Sequence, residues 1–235
     1  MIRRPVVAID GPAGAGKSTV TQRVADELGY LLVDTGALYR AVALAAQRAG
    51  VSWDASEAVG ELAYQLVKER AVELGDQKSS GFAVKLRGED VSLAIRKPDV
   101  SQGASKVSAI PAVREALLDM QRQAGASGGA VLEGRDIGTV VFPDAEAKFF
   151  LTASVDVRAR RRYDELVSRG AQPELAEVQR EVAERDLRDS TRPIAPLKQA
   201  ADACIIDSSR MSIEQVVARI VSRVREVEAE LGARQ

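Results

Sequence analysis

Pro5-Val-Val-Ala-Ile-Asp10, followed without a break by Gly11-Pro-Ala-Gly-Ala-Gly-Lys17-Ser18-Thr19, decides the fold. It reads as a short buried strand, a glycine-rich turn and the first turn of a helix. The turn fits G-x-x-x-x-G-K-S/T, in which backbone N–H groups cradle phosphates, the lysine reaches the outer ones and the hydroxyl ligates Mg²⁺. Glycine permits the backbone angles and the close approach that a bulky anion requires. Unsatisfied N–H groups and the positive end of the following helix then favour that anion. The alternative is a chance glycine turn; the order strand, loop, amphipathic helix argues against it. Gly11, Pro12, Ala13, Gly14, Ala15, Gly16, Lys17, Ser18 and Thr19 are therefore assigned to the phosphates of a bound nucleotide. Lys17 is expected on the β- and γ-phosphates and Ser18 on the metal ion. The motif narrows the chain to the P-loop class, not to one reaction.

Outward from this stretch, the composition sets bounds. The 235 residues can bury one substantial core with an insertion, or two small domains. With 33 basic and 34 acidic residues the formal net charge is −1, so nucleic acid would need a local basic patch. Arg3-Arg4 ahead of Pro5 to Ile9 hints at a signal peptide, but Asp10 and the glycine loop cut the apolar run short. No segment is long and apolar enough to span a bilayer. Cys204, in Ala203-Cys-Ile-Ile206, reads as a buried core thiol, and a lone cysteine agrees with a reducing cytoplasm.

Absences narrow the chemistry further. Histidine is missing, so there is no Ser–His pair, imidazole base or histidine metal site. Asparagine is missing too, which removes the guanine-reading N-K-x-D element of GTPases. Neither an LSGGQ-like signature nor four apolar residues followed by Asp-Glu occurs. Small-molecule phosphoryl transfer survives, where positioning and charge stabilisation outweigh a strong base.

Along the chain, Val20, Val24, Ala25 and Leu28 give the helix after the loop an apolar stripe that Gly29 ends. Leu31 to Val33 is a strand candidate, Ala37 to Ala49 a helix, and Trp53 to Lys68 another with Glu57, Glu61 and Lys68 on the wet side. Phe82, Val84 and Leu86 then alternate with polar or small neighbours, and Gly88-Glu-Asp90 reads as a turn. Residues 70–99 are thus expected to form a small β-rich insertion. Val113 to Gln123 is helical and Gly125 to Gly129 a flexible link. Ala130 to Glu133, Ala147 to Leu151 and Ala203 to Asp207 are expected core strands, and Ser212 to Leu231 a long final helix. Strands alternating with helices predict an α/β fold with a central parallel sheet flanked by helices.

Three further clusters carry chemistry. In Asp34-Thr-Gly-Ala-Leu-Tyr-Arg40, helix N-capping accounts for Thr35. Arg40 lies in an early helical turn that disfavours positive charge, so either Asp34 or an acceptor phosphate must neutralise it. Glu133-Gly-Arg-Asp-Ile-Gly138 leaves a core strand at its carboxyl end, where α/β sheets gather ligands. Arg135 and Asp136 are candidates there; the alternative is an Arg–Asp pair that only ties a loop. In Glu184-Arg-Asp-Leu-Arg-Asp-Ser-Thr-Arg192, Arg185 and Arg188 share a helix stripe, and Pro193 biases Arg192 out of the helix. Residues 156–192 read either as a helical, arginine-rich lid that closes over phosphates or as a solvated hairpin laced with ion pairs.

Together these elements resemble the bacterial cytidylate kinase family of nucleoside monophosphate kinases, from Val6 to the last helix. The resemblance also rests on Gly103-Ala-Ser-Lys-Val107, Pro111-Ala-Val-Arg114, Gly134 to Pro143 and Arg192-Pro-Ile-Ala-Pro196. It implies phosphorylation of CMP and dCMP with ATP and Mg²⁺ by a single P-loop kinase domain. Residues 70–99 would then be the monophosphate-binding insertion. The resemblance places Thr35, Arg40, Ser105, Arg114, Arg135, Asp136, Arg185, Asp189 and Arg192 around the acceptor. Asp136, Arg114 and Ser105 would suit the cytosine, Asp189 with Arg185 the ribose, and Arg40, Arg135 and Arg192 the phosphate. Lys17, Arg135, Asp136, Arg185 and Arg192 would carry the catalysis. A cytoplasmic monomer with small-molecule partners is expected, without nucleic acid or membrane. The rivals are a kinase for UMP, AMP or shikimate, and a nucleotide-dependent module touching RNA through residues 158–192.

Overall fold

A computed structural model describes residues 4–78, 81–168 and 170–233; Arg3 and the side chain of Phe82 lie outside the described residues. The chain divides into two compact units, residues 1–33 with 125–235, and residues 34–124.

The first unit is an α/β sandwich around a five-stranded sheet of order β2-β6-β1-β7-β8. β1 (Val6–Asp10) is central and buried along its whole length. It pairs in parallel with β6 (Ala130–Gly134) and with β7 (Ala147–Thr152), and β7 pairs in parallel with β8 (Cys204–Asp207). β2 (Leu31–Asp34) forms the other edge. Burial on both faces explains the unbroken apolar run of β1; Ile9 alone, fully buried, contributes about 2 kcal/mol by area transfer. α1 (Lys17–Leu28) leaves the glycine loop and ends at Gly29 in a left-handed cap (φ 62°). α8 (Ile213–Ala233) buries Val216, Val217, Ile220, Val221, Val224 and Val227. α6 (Val155–Ser168) and α7 (Leu175–Thr191) form a hairpin with its own small core of Ala159, Val178 and Val182.

Three expectations change here. Cys204 is only half-buried, because β8 is an edge strand and Ile205 beside it is 51% exposed. Residues 125–129 form a built junction, since α5 continues to Gly125. Gly129 N–H donates to the Arg4 and Pro5 carbonyls, and Gly129 O accepts from Leu31 N–H. Finally, a single π-turn (Ile137–Val141) follows β6 where no regular element was expected.

The second unit packs around α2 (Thr35–Arg48), which is buried from Ala41 to Ala46. α3 (Ser56–Lys68), α4 (Pro98–Val107) and α5 (Pro111–Gly125) share that core with an antiparallel sheet. The sheet comprises β3 (Val72–Lys78), β4 (Gly81–Leu86) and β5 (Glu89–Asp90). α3 begins at Ser56, not Trp53, because the Trp53 indole turns inward and donates to the Ala43 carbonyl at 2.9 Å. The hairpin turn is Arg87-Gly88, both at positive φ (52° and 82°), while Glu89-Asp90 is already strand. α4 begins within the stretch read as β-rich: Pro98 opens it, and its small residues pack so tightly that a Cβ on Gly103 would meet the Trp53 ring at 2.4 Å.

Candidate active site

Asp10 and Gly134 are register partners, so the glycine loop and the Arg135-Asp136 turn leave the sheet side by side at its carboxyl edge. Two loop glycines are required by space as well as by angle. A Cβ on Gly11 (φ 154°) would lie 1.9 Å from the Leu151 carbonyl oxygen, and one on Gly14 (φ 75°) 3.0 Å from that of Arg158. Gly16 caps α1 without a side-chain bond, and no acid stands in the first helical turn. The positive helix end is left to an incoming anion.

Lys17 is 7% exposed and its ammonium donates to the Gly11 and Pro12 carbonyls, each at 2.8 Å. Burial first, then the Arg135 guanidinium, hold it well below the ordinary lysine range; Arg185 adds to this, against Glu133 and Asp10. The Ser18 hydroxyl donates to both carboxylate oxygens of Glu133, at 3.0 and 3.1 Å. These two side chains supply hard oxygen donors beside the loop. Among the described residues no group of three or more acidic, histidine or cysteine side chains could hold a metal.

The same unit brings the other arginines to this edge. Arg135 Nε donates to Asp189 Oδ2 at 3.0 Å, and Arg192 Nη2 stands 3.5 Å from Asp136 Oδ1. Arg192 leaves α7 in extended conformation (ψ 141°), as Pro193 demands, and its Nε donates to the Ala195 carbonyl. Burial pushes the Asp189 carboxyl up, but the charges of Arg135 and Arg185 outweigh it and hold the pKa below the usual value. Asp189 therefore pairs with Arg135 across the chain, not merely with Arg185 along its own helix.

The remaining candidates lie in the second unit. Asp34, not Thr35, caps α2, accepting from Ala37 N–H at 3.2 Å; Thr35 is the first helical residue and is buried. Arg40 is ion-paired with Asp34, the nearer of the two neutralising partners weighed for it. Ser105 and Arg114 are buried. Arg114 Nη1 donates to the Ser108 carbonyl at 3.1 Å, and its guanidinium lies 5.4 Å from the Tyr39 ring centroid.

The family described as cytidylate kinase matches residues 7–226. The chain belongs to the cytidylate kinase family. A cytidylate kinase of Citrifermentans bemidjiense is 51% identical over 222 residues, 94% of this chain and 93% of that one. Those of Geobacter sulfurreducens (51% over 224 residues, 95% and 94%) and Syntrophotalea carbinolica (49% over 226 residues, 96% and 94%) are similarly close. Membership of the cytidylate kinase family makes the protein a P-loop phosphotransferase.

Four side chains of this cytidylate kinase family member were not singled out from the sequence: Asp10, Glu133, Arg158 and Asp186. The first two had a visible signal, an acid ending an apolar strand. Glu133 follows only three apolar residues, Ala130-Val-Leu132, and is a single acid, not an Asp-Glu pair. Asp10 accepts from Ile137 and Gly138 N–H, each at 2.8 Å, and so fixes the turn that carries Asp136. Burial, reinforced by the Asp136 charge and opposed by these two amides and Lys17, pushes Asp10 up to about 6. A carboxyl raised on folding lends stability below pH 4 that is lost as pH climbs through 6. Asp10→Asn lacks that titration. Unfolding by urea, without nucleotide, is expected to show the variant gaining about 2 kcal/mol on the wild type between pH 4 and pH 6.5. A constant difference over that window would mean that Asp10 does not titrate there.

Proposed function

We propose that the protein transfers the γ-phosphoryl group of Mg·ATP to a phosphate oxygen of CMP or dCMP. One observation carries the reading: a buried lysine at the mouth of a glycine phosphate loop shares the carboxyl edge of the sheet with Arg135, which leaves β6 directly after the register partner of Asp10. Cations gathered at one edge beside amides that cradle phosphate suit two polyanions, a nucleotide triphosphate and a monophosphate acceptor. The relatives named cytidylate kinase point to cytosine as the acceptor base.

In this reading Gly11 to Thr19 hold the donor phosphates through backbone amides, and Lys17 exchanges its two carbonyl partners for the outer phosphates. Arg135 and Arg192, with Arg40, bind and orient the acceptor phosphate, Asp189 with Arg185 meets the ribose, and Asp136 meets the base. Thr35, Ser105 and Arg114 complete the acceptor-binding set. The attacking phosphate oxygen is ionised near neutrality, so the chain needs no general base, and alignment with charge compensation does the catalytic work. Ser18 and Glu133 suit Mg²⁺, which prefers one or two protein oxygens plus phosphates and water. Bound there, Mg²⁺ would neutralise charge on the transferring group.

The lid reading of residues 156–192 is preferred over RNA contact because their arginines already meet carboxylates: Arg158–Asp186, Arg160–Asp164, Arg162–Glu165 and Arg180–Glu177. A cytoplasmic monomer acting on small molecules is part of the same proposal; no helix among the described residues is long and apolar enough to cross a membrane. An ADP-release assay with equal CMP, dCMP, UMP, AMP and shikimate tests the proposal. CMP and dCMP should be the preferred acceptors; preference for another, or ATP hydrolysis unaffected by any, would overturn it.

A further inference from the structure

The phosphate loop is gripped from outside by side chains that belong to no phosphate-binding motif. Amides that face an anion leave neighbouring carbonyls turned away, and α6 takes two of them. Arg158 Nη1 donates to Ala13 O at 3.1 Å and Arg161 Nη1 to Ala15 O at 3.3 Å. Arg158 goes further. It is 4% exposed; its Nε donates to Ala153 O at 2.8 Å, and Nη1 and Nη2 fork onto the Asp186 carboxylate at 3.0 and 2.6 Å. The pairs Arg160–Asp164, Arg162–Glu165 and Arg180–Glu177 each stay within one helix. Arg158–Asp186 instead joins α6 to α7, with the guanidinium buried, bidentate and also touching the loop.

We propose that Arg158 and Asp186 are positioning residues that register α7 against the phosphate loop, so that nucleotide on the loop fixes where Arg185 and Asp189 stand. A guanidinium is a rigid plane with fixed donor directions. Movement of the Ala13 carbonyl as the loop closes on phosphate is therefore passed to the Asp186 carboxylate. Asp186 follows Arg185 directly and precedes Asp189 by less than one helical turn, so those two side chains travel with it. The inference rests on the reading of Arg185 and Asp189 as acceptor-binding residues. By linkage, donor and acceptor nucleotides must then tighten each other's binding.

Calorimetric titration of a non-hydrolysable ATP analogue, with and without saturating CMP, tests this on the full-length protein. In the wild type, and in the exposed control Arg160→Lys, CMP is expected to tighten the analogue about tenfold. In Asp186→Asn and in Arg158→Lys that ratio should fall to about one, with the analogue's affinity in the absence of CMP changed less than about threefold. The double variant should be no worse than either single one, because one device is broken once. Arg158→Lys retains a buried cation and serves if Asp186→Asn fails to fold. A pair with a purely structural role would lower the melting temperature and leave the ratio at its wild-type value, and that result overturns the proposal. So would a wild type that phosphorylates CMP with no coupling at all. If CMP is not phosphorylated, the functional reading fails instead, and the same titration with the monophosphate that is accepted decides the role of the pair.

Discussion

Lys17→Ala is expected to lower kcat by about 1,000-fold or more at saturating nucleotide, while the protein without ligands melts no lower than the wild type. The two halves have one cause. The ammonium is held in a nearly dry site facing Arg135 and Arg185, where a fixed charge acts most strongly on charge developing in a transferring phosphoryl group. Raising substrate cannot restore an interaction that is strongest in the transition state, so the loss falls on kcat and not only on KM. The same placement burdens the empty protein. An unfolded lysine holds its proton to pH 10.5, whereas the folded one surrenders it lower, so folding is penalised at neutral pH and relieved as pH rises past the unfolded value. Removing the side chain removes that penalty; the buried Gly11 and Pro12 carbonyls lose their donor, but the space the lysine vacates lets water take its place. Steady-state kinetics and thermal denaturation check the two halves. A variant within about tenfold of wild-type turnover would remove Lys17 from the mechanism. A clear fall in melting temperature would show that its carbonyl bonds outweigh its desolvation.

The parts of this molecule that read correctly from sequence are those whose cause is local. β1, the glycine loop and α1 are specified by an apolar run, by residues that alone tolerate the required backbone, and by a 3.6-residue stripe. What escaped is set by neighbours distant in sequence. Arg158 and Arg160 look alike as letters on one helix; only Asp186, 28 residues on, makes the first a buried anchor and leaves the second solvated. Cys204 sits in an apolar run like that of a core strand, yet its exposure depends on whether another strand pairs beyond β8, which no local pattern encodes. α4 was missed for the opposite reason. Its start carries a legible signal in Pro98, but Ser101-Gln-Gly-Ala-Ser105 holds no large apolar side chain, and Gly103 lies where a Cβ would meet the Trp53 ring, so periodicity fades where packing is tightest. Ser105 and Arg114 were accordingly reached through family resemblance alone. Thr35 was placed at the right turn but in the wrong role, since a strand-ending aspartate caps better than the threonine beside it.

Arg135→Ala is expected to reduce kcat/KM for CMP by about 1,000-fold, with KM for ATP changed less than about threefold. Loss of two charge-assisted hydrogen bonds to an acceptor phosphate, each worth about 2 kcal/mol, gives that factor. The side chain is placed for such bonds. It emerges from β6 beside the phosphate loop, with its Nε tied to Asp189 and its Nη1 donating to the Gly134 carbonyl at 3.1 Å, an internal bond that a phosphate oxygen can replace when the Nη1–Nη2 edge turns toward a ligand. Arg135→Lys should recover no more than about tenfold, because an ammonium cannot satisfy Asp189 and a phosphate in one plane. The substitution also bears on acid stability. Asp189 is held below its usual pKa largely by Arg135 and Arg185, so it contributes stability above pH 4 that disappears as pH falls through the folded value. Without Arg135 that contribution shrinks, and the variant's disadvantage in urea should narrow as the pH is lowered from 7 to 3. If kcat/KM for CMP fell by less than about tenfold, or the loss appeared in KM for ATP, Arg135 would serve the donor or the fold and not the acceptor.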